Sequence, residues 1–199
     1  GEPVFVIATG PSLEQHFEAL RSIRSQHARP LFICVDTAYR PLMAQGIKPD
    51  VVVSIDQRIS LQHLPADDSD GTALVYMPLV DPVVLSGWEG KRYVAYSASP
   101  VFRELREQLP RAELHVGGSV IHPAVDLAVK MGAARVTLFG ADFAFPNNKT
   151  HAGWSDGDLG PQLGASRHWV LDGHGQRVKT QLNFRSYLCE LERYIAARP

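Results

Sequence analysis

The sequence predicts an α/β protein built on a doubly wound, mostly parallel sheet of Rossmann-like type, closed by a C-terminal hairpin and helix. Two observations carry that prediction. Short β-branched runs recur along the chain, and several are apolar almost throughout, as strands buried on both faces should be. Amphipathic stretches with helix start and stop signals lie between some of them, and strands alternating with helices imply parallel pairing through crossovers.

Each element follows in order. Residues 4–8 read as the first strand, and Ser12 caps a predicted helix over 13–26, with Leu13, Phe17, Leu20 and Ile23 on one face. Residues 31–36 form the second strand; 38–45 form a helix ended by Gly46. Strands are predicted at 51–56, 73–77, 92–97, 113–116 and 135–140. The stretch 100–108 is amphipathic and stops before Pro110, and 123–131 stops at Gly132. From Pro146 to Arg167 the chain is rich in Gly, Asn, Asp and Ser without periodicity, so it reads as a long functional or mobile loop. Residues 169–171 and 177–180 flank a hairpin turn at 172–175. The closing helix spans 182–197, with Leu182, Tyr187, Leu188, Leu191 and Ile195 mainly on one side.

Composition narrows the function classes. The chain has 199 residues, enough for one well-buried core, so residues 1–199 are read as a single α/β domain. It begins at Gly1 with a strand almost at once, which reads as a domain cut from a longer protein. Lys plus Arg number 20 against 21 Asp plus Glu, so no global charge draws the chain to nucleic acid or acidic lipid. No apolar stretch approaches bilayer length and no signal peptide opens the chain. Cys34 and Cys189 lack metal-ligand or C-x-x-C neighbours and read as buried free thiols in a reducing, cytoplasmic compartment.

Four constellations can carry chemistry. Ala8-Thr9-Gly10-Pro11-Ser12-Leu13 follows the first strand and opens a helix, where glycine admits a close ligand and the helix N-terminus favours negative charge. The same segment reads equally as a plain turn with a serine cap, being neither G-x-G-x-x-G nor a Walker A loop. Gly117-Gly118-Ser119-Val120 is a second such turn, and two in one sheet protein point to a phosphate or sugar acid held between them. Asp36, Asp56 and Asp142 each stand at the carboxyl end of a predicted strand, where open α/β sheets bind ligands. They can accept from hydroxyl groups, hold Mg²⁺ or orient a nucleophile, although aspartates also end strands for turn reasons.

The fourth constellation is Gly140-Ala141-Asp142-Phe143, leading to Asn147-Asn148-Lys149-Thr150-His151-Ala152-Gly153-Trp154, the composition of an active-site flap. Among eight histidines, His151 is the general-base candidate. His115 and His122 flank the second glycine turn. His16, His27, His63 and His174 read as surface residues.

Taken as an ordered series, Gly10-Pro11-Ser12-Leu13, Val35-Asp36-Thr37-Ala38, Gly46-Ile47-Lys48-Pro49-Asp50, Val53-Ser54-Ile55-Asp56, Gly117-Gly118-Ser119-Val120, Asp126-Leu127-Ala128 and Gly140-Ala141-Asp142-Phe143 with Thr150-His151-Ala152 resembles the core domain of the motility accessory factor family. Those bacterial proteins are flagellin glycosyltransferases that use CMP-activated nonulosonic acids, of pseudaminic, legionaminic or sialic type. The same core is similar to 6-hydroxymethyl-dihydropterin pyrophosphokinases, and its fold resembles CMP-sialic-acid-dependent sialyltransferases. The resemblance implies a glycosyltransferase with a CMP-activated sugar acid as donor and a protein such as flagellin as acceptor, without a required cofactor. It implies donor contacts from Thr9, Gly10, Pro11, Ser12, Asp36, Asp56, Gly117, Gly118, Ser119 and Thr150, with His151 as base and Asp142 as its catalytic partner. The kinase reading instead implies ATP, a pterin and Mg²⁺. A third reading is a non-catalytic nucleotide-sugar-binding module.

Overall fold

The computed structural model describes residues 1–198. Six strands, β1 (Pro3–Ile7), β2 (Leu31–Val35), β3 (Val51–Ser54), β4 (Ala73–Tyr76), β5 (Arg92–Val94) and β6 (Arg135–Phe139), form one sheet in the order β5-β4-β3-β2-β1-β6. Every pairing in it is parallel. Central β3 is buried along its whole length and β2 at all but its first residue, which is why both read as unbroken apolar runs. Edge strands β5 and β6 are partly exposed.

The sheet grows in one direction from β1 to β5, and β6 then returns to the far side of β1. Right-handed crossovers therefore put α1 (Phe17–Arg24), α2 (Asp36–Ala44) and α3 (Pro82–Gly87) on one face and α5 (Ile121–Lys130) on the other. Helix α2 packs on β2 and β3, while α5 packs on β1, β2 and β6. Their buried residues, among them Leu20, Tyr39, Leu42, Ile121 and Ala128, join the strands in one core. The short α4 (Arg103–Gln108) precedes α5. After β6 come the antiparallel pair β7 (His168–Leu171) and β8 (Arg177–Thr180) and the closing helix α6 (Leu182–Ala196).

Several elements differ from the sequence reading, each for a tertiary reason. The helix expected over 13–26 is divided into a 3-10 turn, Pro11–His16, and α1. Ser12 does not cap it; its amide and hydroxyl are drawn to Asp142 instead. Residues 113–116 make a single parallel bridge between Glu113 and Tyr96 and no strand. Asp36 is the first residue of α2, two positions earlier than the predicted helix start. Helix α3 had no periodicity to announce it, being six residues opened by the side chain of Asp81 on the Val83 amide. In α6 the expected apolar face holds in part: Leu191 is buried as expected, Leu182 and Ile195 are exposed, and Tyr194, outside the expected set, is buried. Among the described residues no helix is long and apolar enough to cross a membrane.

Candidate functional site

A parallel sheet directs all its carboxyl ends to one rim, and the topological switch between β1 and β6 opens a crevice there. The loops leaving those two strands are laced together. The amides of Ala8 and Gly10 donate to the carbonyls of Phe139 and Gly140 at 2.8 and 2.7 Å. The Ser12 amide donates to Asp142 Oδ2 at 2.7 Å, and the Ser12 hydroxyl donates to Asp142 Oδ1. Asp142 thus occupies the amide-rich turn that the sequence offered to a phosphate. Gly10 has an ordinary φ of −61°. Its glycine is demanded by close approach, because a Cβ there would lie 2.6 Å from Asp142 Oδ2.

Two adjoining cavities occupy the crevice. The inner one spans about 560 Å³, including space open to solvent, and is lined by Thr9, Gly10, Asp142, Thr150 and His151 among others. The outer one, about 1080 Å³ including space open to solvent, is lined by Asp36, Asp56, Arg58, Gly118, Ser119 and His151 among others. Thr37, Ser119, His151, Phe184 and Tyr187 border both. The structure therefore gathers nine of the residues singled out in the sequence around one cleft. Pro11, Ser12 and Gly117 lie outside its lining: Pro11 is buried, Ser12 serves Asp142, and a Cβ on Gly117 would fall 2.9 Å from the His122 ring.

His151 sits on a segment that is strapped to the rim. The Ala152 amide donates to the Thr9 carbonyl at 2.8 Å, and the Trp154 indole donates to the Thr37 carbonyl at 2.9 Å. Glu14 accepts from the Gly153 amide at 3.0 Å and pairs with Lys149 at 2.5 Å. Gly153, at φ +72°, turns the chain against Pro41, which a Cβ would approach to 2.8 Å. The loop read as functional or mobile is, over residues 149–154, tied by these bonds across the ends of β1 and β2. Underneath it, the hydroxyls of Thr9 and Thr37 are 2.6 Å apart.

The electrostatics separate the titratable groups. Burial pushes the His151 imidazole down to about 4, so it is neutral at pH 7, and its buried Nδ1 has no hydrogen-bond partner among the described residues. Burial pushes Asp36 the other way, to about 7, against the lowering effect of the Ser54 hydroxyl (2.9 Å) and the Thr37 amide (2.8 Å). Asp56 is held below the usual carboxylate range by Arg58, 2.7 Å away and largely exposed. Among the described residues Arg58 is thus the one Lys or Arg on the cleft lining, and it is already paired. Of the other histidines, His122 is 1% exposed and structural. Its Nδ1 faces the Ser119 carbonyl at 2.8 Å and its Nε2 the Tyr187 carbonyl at 3.0 Å. His63 is not a free surface residue, since its ring stacks on Trp154 at 5.3 Å.

Sequence reasoning missed the contribution of α6. Phe184 and Tyr187 face the cleft, and Asp126 secures the helix from behind by accepting from the Tyr194 hydroxyl at 2.5 Å. The available signal was the spacing of Phe184, Tyr187, Leu191 and Tyr194, a stripe at i, i+3, i+7 and i+10.

A family model described as 6-hydroxymethylpterin diphosphokinase MptE-like matches residues 1–148. Among solved structures, the MAf glycosyltransferase from Magnetospirillum magneticum AMB-1 shares the fold, with a TM-score of 0.77 at 22% sequence identity. That likeness covers 99% of this chain and 30% of the glycosyltransferase, so the chain spans under a third of that protein's length. No curated protein matches the chain.

Proposed function

This chain belongs to the 6-hydroxymethylpterin diphosphokinase MptE-like family, and from that membership and the cleft's geometry we propose that it is a glycosyltransferase domain acting on a nucleotide-activated sugar acid. The donor in this reading is a CMP-activated nonulosonic acid and the acceptor a Ser or Thr hydroxyl of a protein such as flagellin. One observation carries it. The family model stops at residue 148, whereas the fold shared with a glycosyltransferase runs on through nearly the whole chain. That last quarter supplies His151, Phe184 and Tyr187 to the cleft.

In this reading the turn at Gly118 and Ser119 faces the donor phosphate, and Thr9, Thr37 and Thr150 offer hydroxyls to the sugar. The acceptor oxygen attacks the anomeric carbon, the bond from that carbon to the phosphate oxygen breaks, and CMP leaves with the electron pair. The acceptor proton passes to a ring nitrogen of His151, which is neutral and ready to accept it. An anionic donor beside the imidazole raises its proton affinity from the depressed value of the empty cleft. Asp142 acts here by fixing the two loops, since both its oxygens are engaged by Ser12.

The family's description favours a second reading, pyrophosphoryl transfer from ATP to a pterin. That chemistry calls for a divalent ion to neutralise the polyphosphate. The residues present do not fit one. Asp142 is tied to Ser12 and Asp56 to Arg58, while Asp36 is buried with both oxygens hydrogen-bonded.

Calorimetric titration with CMP, ATP and a pterin, each with Mg²⁺ and with EDTA, tests the choice. The transferase reading expects CMP to bind more tightly than ATP and to be indifferent to EDTA. ATP binding more tightly, or CMP binding abolished by EDTA, transfers the assignment to the kinase.

A further inference from the structure

The cleft has an aromatic side that neither glycine turn accounts for. Phe184 and Tyr187, one turn apart on α6, border both cavities, with ring centroids 6.2 Å apart and planes tilted by 40°. Both rings are half-buried, and neither belongs to the closed core. The His151 ring meets Phe184 edge-on at 6.2 Å, so three flat groups converge on one space. Beside them Gln181 and Asn183, residues whose side chains each carry a donor and an acceptor, line the outer cavity.

The platform is braced by packing and hydrogen bonds. Phe145 packs on Phe184 at 5.3 Å from below, and His122 spans from Ser119 to the Tyr187 carbonyl. Gly118, at φ +94°, lets the Tyr187 ring close on the second turn; a Cβ there would lie 2.6 Å from Tyr187 Cε1. An aromatic ring thus sits directly against a backbone turn that suits phosphate. Flat rings next to amide edges match a planar heteroaromatic base, which has π-faces to stack and a hydrogen-bonding edge to read. With a single, already paired cation on the lining among the described residues, affinity has to come from such contacts more than from charge.

We propose that Phe184 and Tyr187 form the stacking wall for the base of the bound nucleotide, and that Gln181 and Asn183 read the edge of that base. The assignment rests on the nucleotide-sugar reading of the cleft and adds to it a base subsite on residues beyond the family match. It makes α6 the element that sets nucleotide preference.

Titrations of CMP, AMP, a pterin and ribose 5-phosphate, which lacks a base, test it. In the unsubstituted protein at least one base-bearing ligand binds tenfold or more tightly than ribose 5-phosphate. In Phe184→Leu/Tyr187→Leu that advantage falls below about threefold, with ribose 5-phosphate affinity unchanged within twofold. Tyr187→Phe keeps the ring and retains the advantage, which guards against misfolding as the explanation. Asn183→Ala alters the order of preference among CMP, AMP and the pterin.

Equal loss for ribose 5-phosphate and the nucleotides, or no loss in the double Leu variant, overturns the wall. No preference for any base-bearing ligand in the unsubstituted protein overturns it as well. If AMP or the pterin is the ligand that depends on the wall, the wall stands and the CMP donor falls. If CMP binds but ignores the wall, the donor stands and the wall falls.

Discussion

Ser12 and Asp142 lie 130 residues apart in sequence and are joined twice, through the Ser12 amide at 2.7 Å and through its hydroxyl. The pair closes the switch point between β1 and β6 with a carboxylate that belongs to the protein. Replacing Asp142 with Ala removes both bonds and leaves the amide unpaired, at a cost of about 2–3 kcal/mol. Urea unfolding measures this. An Asp142→Ala protein of unchanged stability but lost turnover would make the carboxylate a direct participant in catalysis instead.

Gly10 is expected to tolerate no side chain. A Cβ there meets the Asp142 carboxylate, so Gly10→Val forces apart the two loops that define the cleft. The expected outcome is a loss of roughly 3 kcal/mol or more, or failure to fold, whether or not ligand is present. A stable Gly10→Val protein that merely binds ligand poorly would return this glycine to the role the sequence suggested.

Asp36 and His151 are expected to give stability opposite pH dependences. The folded protein holds the Asp36 proton up to about pH 7, against 3.8 for a free aspartate side chain. The unfolded chain therefore binds fewer protons between those values, and stability falls as pH rises through that window. Asp36→Asn keeps the shape, removes this slope, and gains up to about 4 kcal/mol at pH 8. His151 runs the other way: the folded protein gives up its proton near pH 4 and the unfolded chain near 6.5, so stability rises with pH between them. Thermal midpoints of Asp36→Asn and His151→Gln from pH 4 to 8 separate the two. Parallel curves for all three proteins would refute both assignments.

His151→Ala is expected to lower turnover by about 10²–10⁴-fold, the usual range for a general base. Donor affinity should change by less than about threefold, because the proton moves only in the transition state. The pH–rate profile of the unsubstituted protein should show an ascending limb that is absent in the variant. Rate and affinity falling together would mean that His151 only binds the donor. No change in either moves the search for a base to Asp36, the buried carboxyl on the same lining.

Trp154→Phe loses the indole bond to the Thr37 carbonyl while keeping most of the apolar contact. The expected cost is about 1 kcal/mol in stability. Amide exchange at residues 149–154 should quicken, because the strap is loosened beside His151. Unchanged exchange there would show that the Ala152 and Glu14 bonds hold the strap unaided.

The sequence by itself determined the sheet. Val51, Val52 and Val53, or Phe32 through Val35, had no polar face to offer water, and only a central parallel strand satisfies such a run. It also placed Asp36, Asp56 and Asp142 just past the carboxyl ends of strands, because residues after parallel strands must share a rim. Contacts between distant segments were decided only by the tertiary structure. No local pattern tells Ser12 that its partner is Asp142 and not its own helix, or that residues 149–154 are bound down and not free. Periodicity offers two overlapping stripes on α6, one through Leu182 and Ile195 and one through Phe184, Tyr187, Leu191 and Tyr194, and does not choose between them. Packing chose the face with Tyr187 and Tyr194, for it alone lets Tyr194 reach Asp126 and lets Tyr187 close on the bare backbone of Gly118. Local preferences of about 1 kcal/mol fix the elements, and long-range pairing, worth more in sum, fixes what those elements hold between them.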